Sequence, residues 1–324
     1  MIKSLVKHAR NDSFFYRYIS QNAENRLISE TLQYMLWRKG RFVRPHEKQA
    51  VLRSYIEQEL QSFYVKNEIN LPQLQYAITT RCTLKCLDCN AFFPKFRKNK
   101  ELYCDVELDN FKNDVHAIMS QVNFVRRFII IGGEPLMHKE LPAIIAHCAG
   151  YQGIETIEII TNGTIMPSKD LLEAAAAQSD KVYFHLSNYS ANNAIAHRLH
   201  YEAIIDALKL HGVKHQMSMN LEWNKELPLS PQAYSEETLN TMFNTCWLKR
   251  CIQVLDGKLS LCPKLSSGYA LGMLDPGEKE CIDLRQETEC LRQQLIDFYK
   301  KSPFESCRFC TRIDKKVLPA KQML

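Results

Sequence analysis

Three cysteines carry the strongest chemical signal in the chain. In Cys82-Thr-Leu-Lys-Cys86-Leu-Asp-Cys89 the spacing is C-x3-C-x2-C. Three thiolates on one loop can ligate three irons of a [4Fe–4S] cluster and leave the fourth iron open. An open iron invites a chelating small molecule, as an open zinc position invites water. The plainer readings are a zinc knuckle or three buried thiols. Zinc would want a fourth ligand near by, and none of the usual pairs follows. Further on, Cys246 and Cys262 bracket a hairpin signal, and Cys307-Arg-Phe-Cys310 gives C-x2-C. Four thiolates can close a second cluster, or a zinc site that only holds a small domain together. Cys251 competes with Cys246 for that set. Counted outward from Asp256-Gly257, Leu255 pairs with Lys258 and Cys251 falls opposite Cys262, within reach of its Cβ. Cys104, Cys148, Cys281 and Cys290 stand apart and read as small buried apolar residues, with a hydrogen-donor role conceivable for Cys104.

The elements that must position these residues alternate. Gln75–Thr80 reads as a strand, Leu108 to Met119 as a helix, Phe124–Ile131 as a strand and Leu141–Ala149 as a helix. Ile154–Thr161, Val182–Ser187 and His215–Asn220 are further strands, separated by helices over Asp170–Ala177 and Ala194–Leu210. Such alternation implies right-handed βαβ crossovers and a parallel sheet. Five units fit between residues 75 and 220, too few for a closed eightfold barrel. The expected fold is α/β, a partial six-stranded TIM-like barrel, or an open doubly wound sheet, with ligands at the carboxyl ends of the strands. Those ends carry Arg81-Cys82, Gly132-Gly133-Glu134-Pro135, Thr161-Asn162-Gly163 and Ser187-Asn188-Tyr189. The glycine pair alone could be a plain turn. Downstream of the cysteine loop it reads as a ligand contact. Asn90, Tyr189 and Trp223 lie near strand ends where a substrate would sit, although Trp and Tyr are as often core. His138 reads as structural and the run Lys95–Lys100 as a solvated loop that could attract an anion.

Residues 1–70 read as a helical extension. Leu27, Ile28, Thr31, Leu32, Met35 and Leu36 recur at helical spacing, and Val51, Leu52, Tyr55, Ile56 and Phe63 share one face of a second helix. The first ten residues set Ile2, Leu5, Val6 and Ala9 opposite Lys3, Lys7 and Arg10. This favours a helix docked on the core or a partner over one lying on a membrane surface. Residues 71–239 hold the parallel unit. Residues 240–324 read as a separate α+β unit, with a hairpin across Asp256-Gly257 and a helix over Glu287–Tyr299.

The C-x3-C-x2-C loop after strand one, the Gly132-Gly133-Glu134-Pro135 turn after strand two, and the βα order resemble the radical S-adenosylmethionine (radical SAM) superfamily. The resemblance covers about residues 75–220. It implies that Cys82, Cys86 and Cys89 hold a catalytic [4Fe–4S] cluster whose open iron binds S-adenosylmethionine. It also implies that Gly132, Gly133 and Glu134 face the methionyl ammonium, that Ser187 and Asn188 approach the ribose or carboxylate, and that Thr161 and Asn162 line the same rim. Asp88 stands where many members have an aromatic residue near the adenine. The order C-x10-G-x4-C, a gap, then C-x2-C over about residues 240–315 is similar to the twitch form of the SPASM domain. That likeness implies an auxiliary iron–sulfur cluster of the [4Fe–4S] kind. Its spacing favours Cys246 over Cys251 beside Cys262, Cys307 and Cys310.

Composition bounds the function. The chain has 324 residues, 45% of them apolar and 24% charged, which suits a packed globular protein. Twelve cysteines in a chain with no signal-peptide pattern imply a cytoplasmic protein with reduced thiols. The excess of 42 basic over 36 acidic residues, +6, is too mild for a nucleic-acid binder. No apolar run reaches the roughly 20 residues of a transmembrane helix. The family resemblance implies an oxidoreductase that removes hydrogen from a hydroxylated, sugar-like small molecule. Its substrate would be a small molecule, anionic or sugar-like, and its electron donor a flavodoxin or ferredoxin. The alternatives are a peptide-modifying maturase, a carbohydrate epimerase, and a non-enzymatic iron–sulfur or zinc interaction module. No residue stands out as a general base.

Overall fold

The structure is a computed structural model that describes residues 25–39, 50, 54, 57–219, 221–277, 280–286, 290–300, 302–311 and 315–323. The expected helix at residues 1–10 and the positions Val51, Leu52, Tyr55 and Ile56 lie outside what is described, as do the side chains of Leu32, Met35 and Leu36. In the first helix, Arg26–Lys39, Leu27, Ile28 and Thr31 are buried.

The strands, in chain order, are β1 (Asn70–Leu71), β2 (Leu74–Thr79), β3 (Phe124–Val125), β4 (Phe128–Gly132), β5 (Ile157–Thr161) and β6 (Val182–Asn188). They continue with β7 (Lys214–Met219), β8 (Trp223–Asn224), β9 (Gln253–Leu255), β10 (Lys258–Ser260), β11 (Cys281–Asp283) and β12 (Lys316–Val317). Eight of them form one sheet in the order β11-β10-β9-β2-β4-β5-β6-β7. From β9 to β7 every neighbour is parallel. The fold is thus the expected α/β partial barrel, open between β11 and β7. Its sixth parallel strand is β9, which comes from the region past residue 240. The hairpin of that region is therefore continuous with the main sheet through the β2–β9 pairing. Its turn follows the sequence signal: Asp256 and Gly257 both have positive φ, 48° and 72°, as a two-residue turn matched to strand twist requires.

Two expected elements are split. Phe124–Ile131 becomes β3 and β4, because β3 pairs with β1 in a separate two-stranded sheet. Between them Arg126 turns to pair with Glu59 and Glu155. Ala194–Leu210 becomes a 3-10 turn, Asn193–Arg198, and a helix, Tyr201–Leu210. The break lies at Leu199, which is extended, and the next amide, that of His200, donates to the Gly163 carbonyl at 2.8 Å. This seats the Tyr201 ring against Gly163, where a Cβ would lie 2.2 Å from the ring. The Tyr201 hydroxyl donates to the Ser187 carbonyl at 2.7 Å and accepts from the Tyr189 amide at 2.8 Å. One side chain thereby ties the ends of β5 and β6 together.

The two faces of the sheet differ in chemistry. One packs on helices: Tyr76, Ile130 and Ile159 meet Phe111, Val115 and Ile118 of the helix Leu108–Met119 and its neighbours in a continuous core. Parallel register puts Gln253, Gln75, Ile129, Glu158 and Tyr183 in one row on the other, concave face. Glu158 is fully buried there. It accepts from the Arg127 guanidinium, from the Tyr183 hydroxyl at 2.8 Å and pairs with His185 Nδ1 at 2.6 Å. Burial alone would raise its pKa. The hydrogen bonds from His185 and Arg127, together with the Arg127 charge, outweigh that and hold the carboxyl at about 2. No helix among the described residues is long and apolar enough to cross a membrane.

Because the folded pKa of Glu158 is depressed, its contribution to stability is present above the ordinary glutamate value of 4.5 and is lost as pH falls toward about 2. Glu158→Gln leaves the Arg127 charge uncompensated, at a cost of about 3–5 kcal/mol at neutral pH. Thermal unfolding followed by circular dichroism should show that deficit at pH 7. The gap to the unsubstituted protein should narrow as the pH drops below 4.5.

Candidate active site

Four strand ends converge on one cavity of about 510 Å³. Cys82, Cys86 and Cys89 line it, together with Gly132, Gly133, Thr161, Asn162 and Ser187. Asn90, Tyr189 and Trp223 line it as well, the last two packed edge to face at 5.3 Å. Two residues of the expected set do not reach it. Glu134 is fully buried. Its carboxylate accepts from Thr161 Oγ1 at 2.8 Å, from the Asn162 amide at 2.8 Å and from the Leu136 amide at 3.2 Å. The side chain thus staples the end of β4 to the end of β5. Burial raises its pKa to about 7 against the pull of those three bonds. Asn188 folds back instead: its Oδ1 accepts from the Ser190 amide at 2.8 Å.

The glycine turn builds the cysteine loop. The Gly133 amide donates to the Thr79 carbonyl at 2.9 Å, and the Glu134 amide to the Arg81 carbonyl at 2.8 Å. A Cβ on Gly133 would fall 2.1 Å from the Arg81 carbonyl oxygen and 2.8 Å from Cys82 Cβ. The loop is then gripped by side chains from elsewhere. Arg97 donates to the Cys82 carbonyl, Arg198 to the Thr83 carbonyl at 2.9 Å, and Asn162 Nδ2 to Thr83 Oγ1 at 3.1 Å. The segment after β12 lies alongside it. Leu87 donates to the Lys321 carbonyl at 2.7 Å, Met323 to the Lys85 carbonyl at 2.8 Å, and Gln322 Nε2 reaches Cys86 Sγ at 3.6 Å.

The donors suit iron. Burial pushes the Cys82 and Cys86 thiols up to about 12 and raises that of Cys89. Thiols so placed become thiolates only when a cation balances them. Among the described residues no three Cys, His, Asp or Glu side chains close around a single ion. Around a four-iron cube each sulfur binds a different iron, a wider spacing than that of one ion's ligands.

The second cysteine group gathers at a cavity of about 40 Å³ lined by Cys246, Cys262, Cys307 and Cys310. Burial raises the Cys262 thiol well above its ordinary value, and the charges of Cys307, Cys246 and Cys310 raise it further. Burial likewise takes Cys307 to about 12. Cys251 does not line this cavity; it lines the first one. The β9–β10 ladder stops at Gln253 and Ser260, so the pairing that would set Cys251 opposite Cys262 does not form. Of the four remaining cysteines Cys148 is core as expected, Cys281 is half-buried, and Cys104 and Cys290 are exposed. Both of the latter lie outside the regular elements whose apolar faces are covered. His138 is structural: its ring bonds the Val106 carbonyl and the Glu140 amide.

Several site residues carry little sequence signal. Lys264 Nζ pairs with Glu226, which lines the first cavity, and lies 3.8 Å from Cys310 Sγ of the second. Burial alone would lower its pKa, but the charges of Cys310 and Glu226 outweigh that and keep the ammonium charged. The Glu226 amide donates to Asp88 at 3.1 Å, so Asp88 anchors this link to the cysteine loop. Gln75 and Gln253 line the first cavity as well. The one clue to them is a polar residue inside each of two apolar strands.

Gly133→Ala is expected to push Cys82 off its position while the sheet stays folded. Anaerobic iron and sulfide reconstitution should then incorporate about four fewer irons per chain than the unsubstituted protein, with far-ultraviolet circular dichroism unchanged. Full iron uptake by the variant would show that the turn does not shape the loop.

Residues 76–217 match the model of the Radical SAM superfamily. Curated relatives include GTP 3',8-cyclase of Clostridium acetobutylicum, 34% identical over 115 residues, which are 34% of this chain and 33% of the relative. GTP 3',8-cyclase of Syntrophomonas wolfei is 28% identical over 166 residues, 47% of this chain and 48% of the relative. The match thus spans a third to a half of the length of these proteins. Among solved structures, BtrN in complex with AdoMet and 2-DOIA is 12% identical, covers 79% of this chain and 98% of that one, and gives a TM-score of 0.48. Native anSMEcpe with bound AdoMet is 12% identical over 74% of this chain and 83% of that one, with a TM-score of 0.47. The matching span holds five of the six parallel strands and the cysteine loop, so residues 76–217 are a Radical SAM superfamily domain.

Proposed function

We propose that this radical SAM enzyme dehydrogenates a hydroxylated, sugar-like small molecule. Cys82, Cys86 and Cys89 would hold the catalytic [4Fe–4S] cluster. Gly132, Gly133, Thr161, Asn162 and Ser187 would bind S-adenosylmethionine. Cys246, Cys262, Cys307 and Cys310 would hold an auxiliary [4Fe–4S] cluster, within a small C-terminal unit of about residues 240–324. When bound, the catalytic cluster and S-adenosylmethionine supply a carbon radical able to take hydrogen from an unactivated carbon.

The observation that carries this reading is the second set of four thiols beside the first cavity. Four protein ligands leave no iron open to bind substrate, so such a cluster serves electron transfer. Removal of two electrons from an alcohol needs an electron acceptor near the substrate and a route for the hydroxyl proton. Glu226 provides the latter: its carboxylate lines the cavity, and buried Lys264 balances its charge. Lys264 also touches Cys310 Sγ, so charge at the second site and proton acceptance at the first share one ammonium. Asn90, Tyr189 and Trp223 would shape the space around the reacting carbon. A flavodoxin or ferredoxin would deliver the priming electron.

A second reading has a specific source, the GTP 3',8-cyclases among the curated relatives. The lining of the cavity weighs against it. Among the described residues that line it, Lys316 is the only cation, against the carboxylates of Asp88 and Glu222 and a Glu226 whose charge Lys264 balances. A triphosphate would be repelled there. The same balance weighs against an anionic substrate.

Iron analysis of anaerobically reconstituted protein should give about eight irons per chain, and Cys307→Ala with Cys310→Ala about four. A polyol deuterated at its carbinol carbons should pass deuterium into 5'-deoxyadenosine, read by mass spectrometry, with appearance of a ketone. One zinc in place of the second four irons would reduce that site to a structural one and end the dehydrogenase reading. Consumption of GTP without polyol turnover would favour the cyclase.

A further inference from the structure

The first cavity ends on two carboxamides that the protein itself leaves unsatisfied. β2 and β9 run parallel with Gln75 beside Gln253, so both side chains leave the sheet on one face. Gln253 is 0% exposed and Gln75 6%. Neither amide atom of Gln253 meets a hydrogen-bond partner, and neither does the amide oxygen of Gln75. Both residues line the cavity that the cysteine loop also lines. A buried amide without partners is destabilising, and an apolar side chain of similar shape avoids the penalty. Among the described residues with such orphaned atoms, Gln75 and Gln253 are the two that line the first cavity, where a ligand can complete their hydrogen bonds.

The chemistry of the pair limits the ligand. A carboxamide is uncharged and offers a donor and an acceptor side by side. Ile131, Leu248 and Cys251 in the same lining carry no formal charge, and the Arg127 guanidinium whose charge reaches Cys251 is paired with Glu158. The charged lining comes from the cysteine loop and from segments packed on it. Asp88 is on that loop, Glu226 is bonded to Asp88, and Lys316 pairs with the β8 segment. A hydroxyl both donates and accepts, so two adjacent hydroxyls on a ring satisfy the three orphaned atoms together.

We infer that Gln75 and Gln253 form the substrate-recognition subsite, and that they read adjacent hydroxyls on a neutral polyhydroxylated ring. The inference rests on the dehydrogenase reading and names its substrate class. The two glutamines fix which edge of the ring turns away from the cysteine loop, and hence which carbon faces it.

The test uses the full chain, anaerobically reconstituted, with myo-inositol, D-glucose and GTP as probes at millimolar concentration. Thermal unfolding is measured for the unsubstituted protein, Gln253→Leu and Gln75→Leu, with and without each probe. Without probe the leucine variants should unfold at the same temperature or higher, because an unsatisfied amide is gone. A ring polyol should stabilise the unsubstituted protein, and Gln253→Leu should weaken its binding roughly tenfold or more. The inference is overturned by a fall in the unfolding temperature of both unliganded variants, which would make the amides structural. It is overturned equally by a polyol effect that survives Gln253→Leu, by the absence of any polyol effect, or by stabilisation with GTP alone. Failure of the unsubstituted protein to release 5'-deoxyadenosine from S-adenosylmethionine would instead strike the dehydrogenase reading, and polyol binding would still judge the subsite.

Discussion

The site depends on one close approach of backbone to backbone. Gly132 and Gly133 run so near Thr79, Arg81 and Cys82 that no side chain fits between them. Two amide-to-carbonyl bonds close the contact. That contact turns the chain out of β2 and aims Cys82 across the carboxyl ends of the strands. Everything above it follows in order. Arg97, Arg198 and Asn162 can grip the loop only where the glycine turn has placed it. Glu134, next in the turn, then reaches beneath to the end of β5. The glycines here serve packing geometry whatever they offer a ligand. The plain-turn reading of the motif is met by this close backbone packing.

A second constraint is buried charge. The concave face holds Glu158, Arg127, Tyr183 and His185 in one network, and the strand ends hold thiols that burial keeps protonated. The network is internally compensated. The thiols are not, and neither are the amides of Gln75 and Gln253. A folded chain tolerates such groups where a ligand or metal later completes them. Among the described residues with orphaned buried polar atoms, Gln75 and Gln253 line the first cavity, while the others, His185 Nε2 among them, lie outside it.

Much of this was legible in the residues. The helix Leu141–Ala149 and the Asp256-Gly257 turn follow from local patterns alone, because apolar period and positive-φ chemistry are local properties. The C-x3-C-x2-C loop and the glycine turn identify the reactive end of the sheet for the same reason. What local pattern cannot carry is pairing across the chain. Nothing near Gln253 announces that its strand joins β2, so the sixth strand had no marker between residues 75 and 220. The split at Leu199 reflects a bond to Gly163, 37 residues upstream of His200. The contest between Cys246 and Cys251 hinged on a ladder extended by counting, and the real ladder ends two residues too soon. Glu134 shows a subtler limit: the motif marks the position, but only the fold shows that its carboxylate faces inward.

The segment that carries β12 ties these constraints together. β12 pairs with β8, and the residues after it run antiparallel to the cysteine loop with Cys86 bridged to Gln322. Leu84, Cys86, Ile195 and Ala320 form a small apolar cluster under that bridge. The loop is thus shaped from below by the glycine turn and from above by chain that follows Cys307 and Cys310. Two of the second group's four thiols, Cys307 and Cys310, and the residues that cover the first group lie on one short stretch of sequence. A shift in that stretch moves the Gln322 amide against Cys86 Sγ and alters the hydrogen bonding of a sulfur that belongs to the first group. Hydrogen bonds to sulfur are among the factors that set cluster potentials. Lys264 joins the two cavities directly, pairing with Glu226 of the first and lying 3.8 Å from Cys310 Sγ of the second.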